Sequence, residues 1–530
     1  RVVAARAEAC AQPCPGDRRM STALAWSVAL NGLEGAMVEV EVADGGGLPR
    51  TVLVGLPDAA LSQAKERVRA AVTGASLPWP SGLVTINLSP ANLPKTGTHY
   101  DLAIATAVLA AIGKVPLEAA KSHVCLGELG LDGRLRRVPG ILPALLAAAR
   151  NGFDKAIVPA SQEAEAGLVP GITVWAVGHL KDLVAVLNGE PPMGGWDAPV
   201  EEDQGPWERP TLDFREVQGH LDGRWAMEVA AAGRHHVFLH GAPGVGKTML
   251  AARLTSILPS LDGEEAVEVS ALHSLAGMDL SGGLLIDPPY ADPHHSSSPA
   301  SIIGGGARLI RPGSISLAHR GVLFLDEAPE FGARILDALR TPLESGWVTI
   351  GRAAVQVRYP ARFQLVLAAN PCPCGFHGVV GRECRCSPMM VRRYQERLSG
   401  PVMDRIDIRH HMLPQHRSFL GDAEDQPESS ADIAARVLQA RDRQSRRLSG
   451  TPWRTNGEVA GPWLRSQLPL PRDVSPLERA LNRGLISTRG VDKVLRLAWT
   501  ITDLAEEDQI SASSLRVAMQ LRQGTLQEAA

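Results

Sequence analysis

The sequence predicts an α/β protein in which two α/β blocks are followed by a helical block. Short apolar runs typical of strands alternate with helical patterns over residues 20–188 and again over 213–415. Residues 431–530 show helical periodicity alone. Polar stretches rich in Pro, Gly and acidic residues separate the blocks at 189–212 and 416–430, and we interpret them as linkers.

The first nineteen residues lack any apolar segment of signal-peptide length, and a regular pattern begins only after Met20. We expect residues 1–19 to be a disordered tail or an upstream mis-start. An organelle transit peptide is the alternative.

The first block has strand-like segments in VEVEVA, TVLVG, VTINL and KAIVPA and helix-like segments in ALSQAKERVRAAV and LPALLAAAR.

The whole chain carries a formal net charge of −3, so any nucleic-acid surface must be local. No apolar run approaches the length of a membrane helix, and nothing indicates secretion. We therefore expect a cytoplasmic protein.

A nucleotide-binding motif opens the second block. VFLHGAPGVGKTML (237–250) is an apolar strand, then G-x-x-x-x-G-K-T, then the start of a helix, which is the context that a P-loop requires. The glycines allow the tight turn whose backbone amides face phosphates, Lys247 supplies positive charge, and the Thr248 hydroxyl reaches Mg²⁺. The predicted nucleotide-binding residues are Gly241, Ala242, Pro243, Gly244, Val245, Gly246, Lys247, Thr248 and Asp326.

Two further strands supply the predicted catalytic groups of an ATPase. GVLFLDEAPEF (321–331) ends a buried strand on Asp326, for the Mg²⁺ shell, and Glu327, for polarising the attacking water. FQLVLAAN (363–370) ends on Asn370, which is suited to orienting that water; a loop Asn that caps the next segment is the alternative.

Two arginines follow these motifs and are candidates for stabilising charge in the transition state. Arg405 lies in the short turn of SGPVMDRIDIRH (399–410), and Arg489 lies at the start of a helix in STRGVDKVLRLAW (487–499). Surface arginines are the alternative for either.

The motifs DFREVQGH, GVLFLDE, LAANPCPCG and LSGPVMDRIDI together resemble the magnesium-chelatase-like AAA+ ATPases of the ComM/YifB type. The resemblance covers residues 20–525. It implies an AAA+ P-loop core, a C-terminal helical lid (431–530) and a homo-hexameric ring that uses ATP and Mg²⁺. It further implies that Arg405 is a finger donated to a neighbouring subunit and that Arg489 is the sensor-2 residue of the lid.

The first block (20–188) resembles the proteolytic domain of Lon, an α/β domain like ribosomal S5 domain 2. The carrying segments are SPANLPKTGTHYDLAIATAVLA (89–110) and GELGLDGRLRRVPGILPALLAAARNGFDKAIVP (127–159). The positions of the Lon Ser/Lys dyad hold His99 and Leu142, and neither can perform that chemistry. The resemblance therefore implies the fold without peptidase activity.

An insert at 290–321 resembles the family segment that carries paired histidines, His294 and His295. Ala291 and Asp292 stand where the family usually has an Arg and a small residue. Because adjacent residues of a strand point to opposite faces, we expect the two histidines to diverge and not to share a metal.

Four of the seven cysteines lie in one short loop after Asn370: Cys372, Cys374, Cys384 and Cys386. Four thiolates can arrange tetrahedrally around a structural Zn²⁺, with His377 as a possible substitute ligand. Free thiols and a redox-active disulfide are the alternatives.

Two arginine-rich segments, 382–410 and 435–454, are either solvated faces or phosphate-contacting surfaces. Aromatics make up only 4% of the chain, which favours sequence-independent contact with the DNA backbone over base stacking. Resemblance to ComM implies a DNA helicase for branch migration in recombination during natural transformation. A magnesium-chelatase-like ATPase that remodels a protein partner is the alternative, and the missing dyad argues against a protease.

Overall fold

The computed structural model describes residues 21–45, 48–55, 61, 63–196, 212–306, 310–351, 356–379, 381–413 and 427–524. The predicted tail (1–19) and most of both predicted linkers lie outside these residues. The chain forms two compact units: Arg1–Pro206 with His273–Gly283, and Trp207–Leu272 with Leu284–Ala530. None of the described helices is long and apolar enough to span a membrane.

The first unit is built on a seven-stranded mixed sheet in the order β3-β4-β2-β1-β5-β8-β9. Alternating residues of VTINL are buried, because one face of the sheet packs on the core. The strands are β1 (Ser21–Asn31), β2 (Glu34–Gly45), β3 (Arg50–Val54), β4 (Leu83–Ser89), β5 (Val124–Cys125), β6 (Glu128–Leu129), β7 (Leu135–Arg136), β8 (Lys155–Pro159) and β9 (Thr173–Val177).

The helices of the first unit include one whose eleven residues are all buried, α2. Asp101 at its start accepts a 2.7 Å hydrogen bond from Arg67 Nη2, which compensates the buried carboxylate. The helices are α1 (Ala64–Gly74), α2 (Asp101–Ala111), α3 (Leu117–Ser122), α4 (Ile141–Arg150), α5 (Glu163–Ala166) and α6 (Leu180–Leu187), with a 3₁₀ turn at Ala160–Gln162.

Both residues at the positions of the Lon dyad make contacts within the fold of the first unit. His99 Nε2 lies 2.8 Å from the carbonyl oxygen of Val28, and Leu142 is fully buried in α4. The Lon-like fold of this unit stays a prediction.

The second unit contains a five-stranded sheet in the order β11-β14-β17-β10-β18, and all of its pairings are parallel. Uninterrupted apolar runs such as VLFL are buried on both faces, as a parallel sheet requires. Its strands are β10 (Val237–Gly241), β11 (Tyr290–Ala291), β14 (Val322–Leu325), β17 (Gln364–Ala369) and β18 (Ile408–Met412). Two separate hairpins are formed by β12 (Gly304–Gly305) with β13 (Arg311–Pro312) and by β15 (Trp347–Gly351) with β16 (Gln356–Pro360).

Helices cover this sheet, and the described residues 427–524 contain helices and no strand. They are α7 (Leu221–Gly233), α8 (Lys247–Arg253), α9 (Gly263–Ala276), α10 (Pro299–Ile303), α11 (Ser314–Leu317), α12 (Ala333–Ala338), α13 (Arg340–Ser345), α14 (Pro388–Glu396), α15 (Gly400–Met403), α16 (Ser430–Arg447), α17 (Gly461–Gln467), α18 (Ser475–Asn482), α19 (Thr488–Leu504) and α20 (Ala512–Gln523). Short 3₁₀ turns occupy Phe214–Glu216, Leu254–Ile257, Ala328–Glu330 and Asn456–Glu458.

Two hydrophobic clusters divide the second unit. Alternate residues of the central strands, such as Val237 and Leu239, share one core with Val437 of α16 and Leu497 of α19. The opposite face packs on α10 to α13. The C-terminal helices thus belong to the same compact unit as the sheet, and their role as a lid stays a prediction.

Candidate ATPase site

The P-loop follows β10 at the carboxyl edge of the parallel sheet. Gly244 and Gly246 have φ angles of +78° and +88°, which glycine adopts without steric cost. Lys247 Nζ donates 2.8 Å hydrogen bonds to the carbonyl oxygens of Gly241 and Ala242. These bonds hold the ammonium over the loop that the sequence predicts for phosphate binding.

The other predicted side chains reach the same edge, because the carboxyl ends of neighbouring parallel strands lie together. Thr248 Oγ1 donates a 2.7 Å hydrogen bond to Asp326 Oδ2. Lys247 Nζ donates a third bond, of 2.9 Å, to Asn370 Oδ1. The ends of β10, β14 and β17 are thereby connected through side chains suited to an Mg²⁺–nucleotide site.

Burial sets the charge state of this edge. Desolvation lowers the pKa of Lys247, while the carboxylates of Asp326 and Glu327 act in the opposite direction. Desolvation also lowers the pKa of His240, on β10, to about 4, so that this imidazole is neutral at pH 7. His240 therefore adds no positive charge beside Lys247.

Glu327 adopts a left-handed backbone conformation, with φ +49°, which is uncommon for a residue with a side chain. Its carboxylate Oε2 lies 3.5 Å from Nδ1 of His295. The expected divergence of His294 and His295 on a strand was wrong. β11 ends at Ala291, so the pair lies beyond the strand with ring centroids 4.1 Å apart.

Arg405 and Arg489 lie at the opposite edge of the sheet. Ile408 pairs with Val237 at the start of β10, so Arg405, three residues before β18, precedes the amino edge. A strand of this length separates the edges by about 13 Å. Both arginines line one cavity of about 560 Å³, and the Arg405 guanidinium there forms an ion pair with Glu344.

A buried lysine connects the two predicted arginine segments. Lys493, one turn after Arg489 in α19, donates hydrogen bonds of 2.8 Å to the carbonyl oxygen of Arg405 and 2.6 Å to Asp407 Oδ1. Burial acts to raise the pKa of Asp407, but the Lys493 ammonium and His235 outweigh it and hold this pKa well below its usual range. The turn of Arg405 and the helix of Arg489 are therefore held together.

The four loop cysteines converge after β17. Their sulfur atoms all lie within 4.8 Å of one another. The Sγ–Sγ distances are 3.3 Å for Cys372–Cys374, 3.7 Å for Cys372–Cys384 and 3.6 Å for Cys374–Cys384. The backbone N–H of His377, the possible substitute ligand, donates to Cys372 Sγ at 3.3 Å. The cluster could hold a metal ion.

The arginines of the second basic segment are largely used inside the fold. Arg436 pairs with Glu228 and Glu428, Arg443 with Asp508, Arg447 with Asp503, and Arg454 with Asp262. Arg441 donates to the carbonyl oxygen of Ala231 at 2.7 Å. For these five arginines the structure favours an intramolecular role over a free phosphate-binding face.

The fold and the side chains at this edge of the sheet are those of the P-loop ATPase class. A family model described as magnesium chelatase, subunit ChlI, matches residues 213–419, and a model of the ChlI C-terminal part matches residues 427–522. A third model, described as subunit ChlI of Mg-chelatase, matches residues 38–162. The chain belongs to the magnesium-chelatase-like AAA+ ATPases of the ComM/YifB type, which confirms the resemblance seen in the motifs.

Several relatives match the chain over nearly their full lengths. The chain is 48% identical over 507 residues to an uncharacterized protein of Mycobacterium tuberculosis, covering 95% of this chain and 99% of the relative. It is 39% identical over 508 residues to the competence protein ComM of Haemophilus influenzae, covering 95% and 98%. It is 39% identical over 504 residues to the uncharacterized protein YifB of Salmonella typhimurium, covering 95% and 97%.

Two side-chain contacts at these edges were not predicted from the sequence: that of His295 with Glu327, and those of Lys493 with Arg405 and Asp407. His295 was singled out, but no pattern connected it with Glu327, which lies 32 positions away in the chain. Lys493 was not considered as a candidate residue. Its position four residues after Arg489, on the same helical face, was the available signal.

Proposed function

We propose that this chain is one subunit of a ring-shaped ATPase, a homo-hexamer, in which each active site is completed by a neighbour. The separation of the two edges carries this proposal. Lys247, Thr248, Asp326, Glu327 and Asn370 belong to one edge of the sheet, whereas Arg405 and Arg489 belong to the other. A head-to-tail contact would bring the arginines of one subunit to the nucleotide of the next, and repeated around an axis it closes a ring.

We infer that the ring is a DNA motor. The hairpins β12–β13 and β15–β16 pack on each other: a Cβ at Gly304 would lie 2.6 Å from Ile350 Cδ1, and the Tyr359 hydroxyl donates to the carbonyl oxygen of Ile310 at 2.7 Å. Their exposed cations, Arg311 and Arg358, support the inference, because exposed arginines can contact DNA phosphates. The name of the Haemophilus relative refers to competence. We propose ATP-driven helicase and branch-migration activity, independent of sequence, on incoming DNA in the cytoplasm.

ATP hydrolysis measured with and without single-stranded and forked DNA tests the motor, with Lys247→Ala as the blank. We expect DNA to stimulate hydrolysis strongly. We also expect affinity for DNA to rise steeply as salt falls, because bound phosphates release counterions. Hydrolysis indifferent to every DNA would contradict the motor.

A protein-remodelling ATPase is the second candidate. It is favoured by the internal pairing of the arginines of Arg436–Arg454, which removes much of one predicted DNA surface. The family models also describe a magnesium chelatase subunit. Stimulation by a protein partner, together with a flat salt response toward DNA, would support this candidate.

We propose that the four cysteines hold a structural Zn²⁺. Zn–S bonds of about 2.3 Å in a tetrahedron place neighbouring sulfurs about 3.8 Å apart. The three Sγ–Sγ distances of 3.3 to 3.7 Å approach this spacing, and they far exceed the roughly 2.05 Å of a disulfide. The residues therefore fit the metal, and its effect would be to fix the loop that follows Asn370.

Metal analysis of purified protein tests the zinc site. We expect about one zinc per chain, and its loss in Cys384→Ser. Less than about 0.2 zinc per chain in the unsubstituted protein would contradict the proposal.

For the first unit we propose a Lon-like domain without peptidase activity. Leu142 has no titratable group, and it is fully buried. A peptide substrate offered to the unsubstituted protein with ATP and Mg²⁺ should remain intact.

A further inference from the structure

A cavity of about 450 Å³ lies in the second unit against the strands β10, β17 and β18. Val237 and Leu239 of β10 belong to the core that β10 shares with α16 and α19, so Phe238 and His240 stand on the opposite face of the sheet. Both line the cavity, and residues of α14, α15 and α20 complete its lining. A volume of this size accommodates a small organic molecule.

Aromatic rings form much of the cavity wall. The ring centroids of Phe238 and His240 lie 5.9 Å apart, and those of His240 and His411 lie 5.3 Å apart, so three rings follow one another along the face. Tyr394 of α14 adds a fourth ring. Because aromatic rings favour stacked or edge-to-face contacts with one another, this wall suits a flat aromatic molecule.

Arg409 supplies the cavity with a positive charge. It pairs with Phe238 across β18 and β10, which places the two side chains on the same face of the sheet. The residue is half-buried, and its Nε is shielded from solvent and donates no hydrogen bond. Within the described part of the chain the guanidinium has no ion-pair partner. Among the described residues that line the cavity, none is an Asp or a Glu.

Three further titratable groups of the wall carry no charge at pH 7. Desolvation lowers the pKa of His240 and of His410 to about 4, and burial raises the pKa of Tyr394 to about 12. An arginine meets a carboxylate through two parallel N–H···O bonds and balances its single charge. A phosphate monoester brings about two negative charges, which is more than one guanidinium balances.

We propose that this cavity binds a small aromatic carboxylate, with the carboxylate group on Arg409 and the ring among the aromatic side chains of β10 and α14. Asn370 also lines the cavity, and its Oδ1 accepts the hydrogen bond from Lys247 Nζ. The ligand therefore lies beside the residue proposed to orient the attacking water. The site goes beyond the proposed function, because binding there requires neither DNA nor hydrolysis.

Calorimetric titration with naphthoate tests the site, with Mg²⁺ and ADP present so that the P-loop is occupied. We expect about one naphthoate per chain, with a Kd below about 1 mM. The neutral naphthamide should bind about ten- to a hundredfold more weakly, because it forms no charge-assisted hydrogen bond with the guanidinium. Cyclohexanecarboxylate, which keeps the charge and lacks the aromatic ring, should bind about two- to tenfold more weakly.

Arg409→Gln separates the charge from the rest of the cavity. We expect it to weaken naphthoate binding about ten- to a hundredfold and to leave naphthamide binding unchanged. Arg392→Gln is the matched control, because Arg392 lies on the exposed side of α14 and pairs with Glu396. It should bind naphthoate like the unsubstituted protein. Thermal unfolding identifies the folded variants, and the comparison of the three probes needs no variant.

The proposal is overturned if naphthoate shows no binding up to about 1 mM, if naphthamide binds equally well, or if a folded Arg409→Gln protein keeps its affinity. Equal binding of cyclohexanecarboxylate, or tighter binding of naphthyl phosphate, would overturn the ligand class. Binding that appears only after removal of residues 525–530, which follow Gly524 at the wall, would make the chain itself the occupant and would also overturn the proposal. A protein that no DNA stimulates leaves this test unchanged.

Discussion

The two edges of the five-stranded parallel sheet differ in how their functional side chains are partnered. At the carboxyl edge the predicted residues contact each other, Lys247 with Asn370 and Thr248 with Asp326. At the amino edge Arg405 pairs with Glu344, which is not a predicted catalytic residue, and Arg489 is exposed. Under the proposed function, the carboxyl edge is an assembled half-site and the amino edge is a donor surface that serves the nucleotide of a neighbouring subunit.

Arg405→Ala gives the largest expected effect and tests the donor role directly. We expect kcat for ATP hydrolysis to fall about 10³–10⁵-fold, the range for removal of an arginine finger, with ADP affinity unchanged. Arg392→Ala, which breaks an exposed pair with Glu396 one turn apart, is the matched control and should keep full activity.

Mixing inactive variants sharpens the same test. Lys247→Ala lacks a working nucleotide site and Arg405→Ala lacks the donor arginine. In an equal mixture, an interface works only where an Arg405→Ala subunit supplies the nucleotide site and a Lys247→Ala subunit supplies Arg405, so about a quarter of the interfaces should regain activity. No recovery on mixing, with both variants folded and assembled, would mean that Arg405 serves its own chain.

Lys493→Met gives the next largest effect, on stability. It leaves the Asp407 carboxylate buried without its cation, and we expect a loss of about 3–5 kcal/mol in the free energy of unfolding, measured by urea denaturation. Adding Asp407→Asn should recover much of this loss. A loss below about 1 kcal/mol would show that the pair does not hold the turn of Arg405 to α19.

Cys384→Ser should weaken nucleotide binding at the carboxyl edge. The cysteine loop touches the P-loop so closely that a Cβ at Gly375 would lie 2.4 Å from Pro243 Cγ. We expect zinc loss to raise the Kd for ADP about two- to thirtyfold, the range for coupling through packed contacts. Fluorescent-nucleotide titration measures it. An unchanged Kd for ADP in zinc-free protein would show that the cysteine loop does not affect nucleotide binding at the P-loop.

Arg358→Gln gives the smallest expected effect. Arg358 lies over the Trp347 ring at 4.9 Å on the β15–β16 hairpin. We expect the slope of log K for DNA against log salt to decrease by about one, the value for one lost phosphate contact. Arg443→Gln should leave the slope unchanged, because Arg443 is paired with Asp508 within the fold. Equal effects of both substitutions would contradict the assignment of DNA contact to the hairpin.

Much of the fold was predictable where the signal was local. The strand-like runs VEVEVA, TVLVG and VTINL lie in β2, β3 and β4, and LPALLAAAR lies in α4. The pattern failed at His294 and His295, because strand periodicity was applied beyond Ala291, where β11 ends. A two-residue edge strand leaves no periodicity to detect, so only its pairing with β14 reveals it.

By itself the sequence determined the P-loop, the Asp326–Glu327 pair and the cysteine loop, because each depends on the spacing of chain neighbours and on the dihedral freedom of a few glycines. The tertiary structure alone decided that Arg405 and Asn370 lie at opposite edges, that Lys493 joins Arg405 to α19, and that His295 meets Glu327. It also decided that most arginines of 435–454 serve the fold. These contacts depend on strand order and on the approach of distant segments, and no spacing along the chain encodes either one.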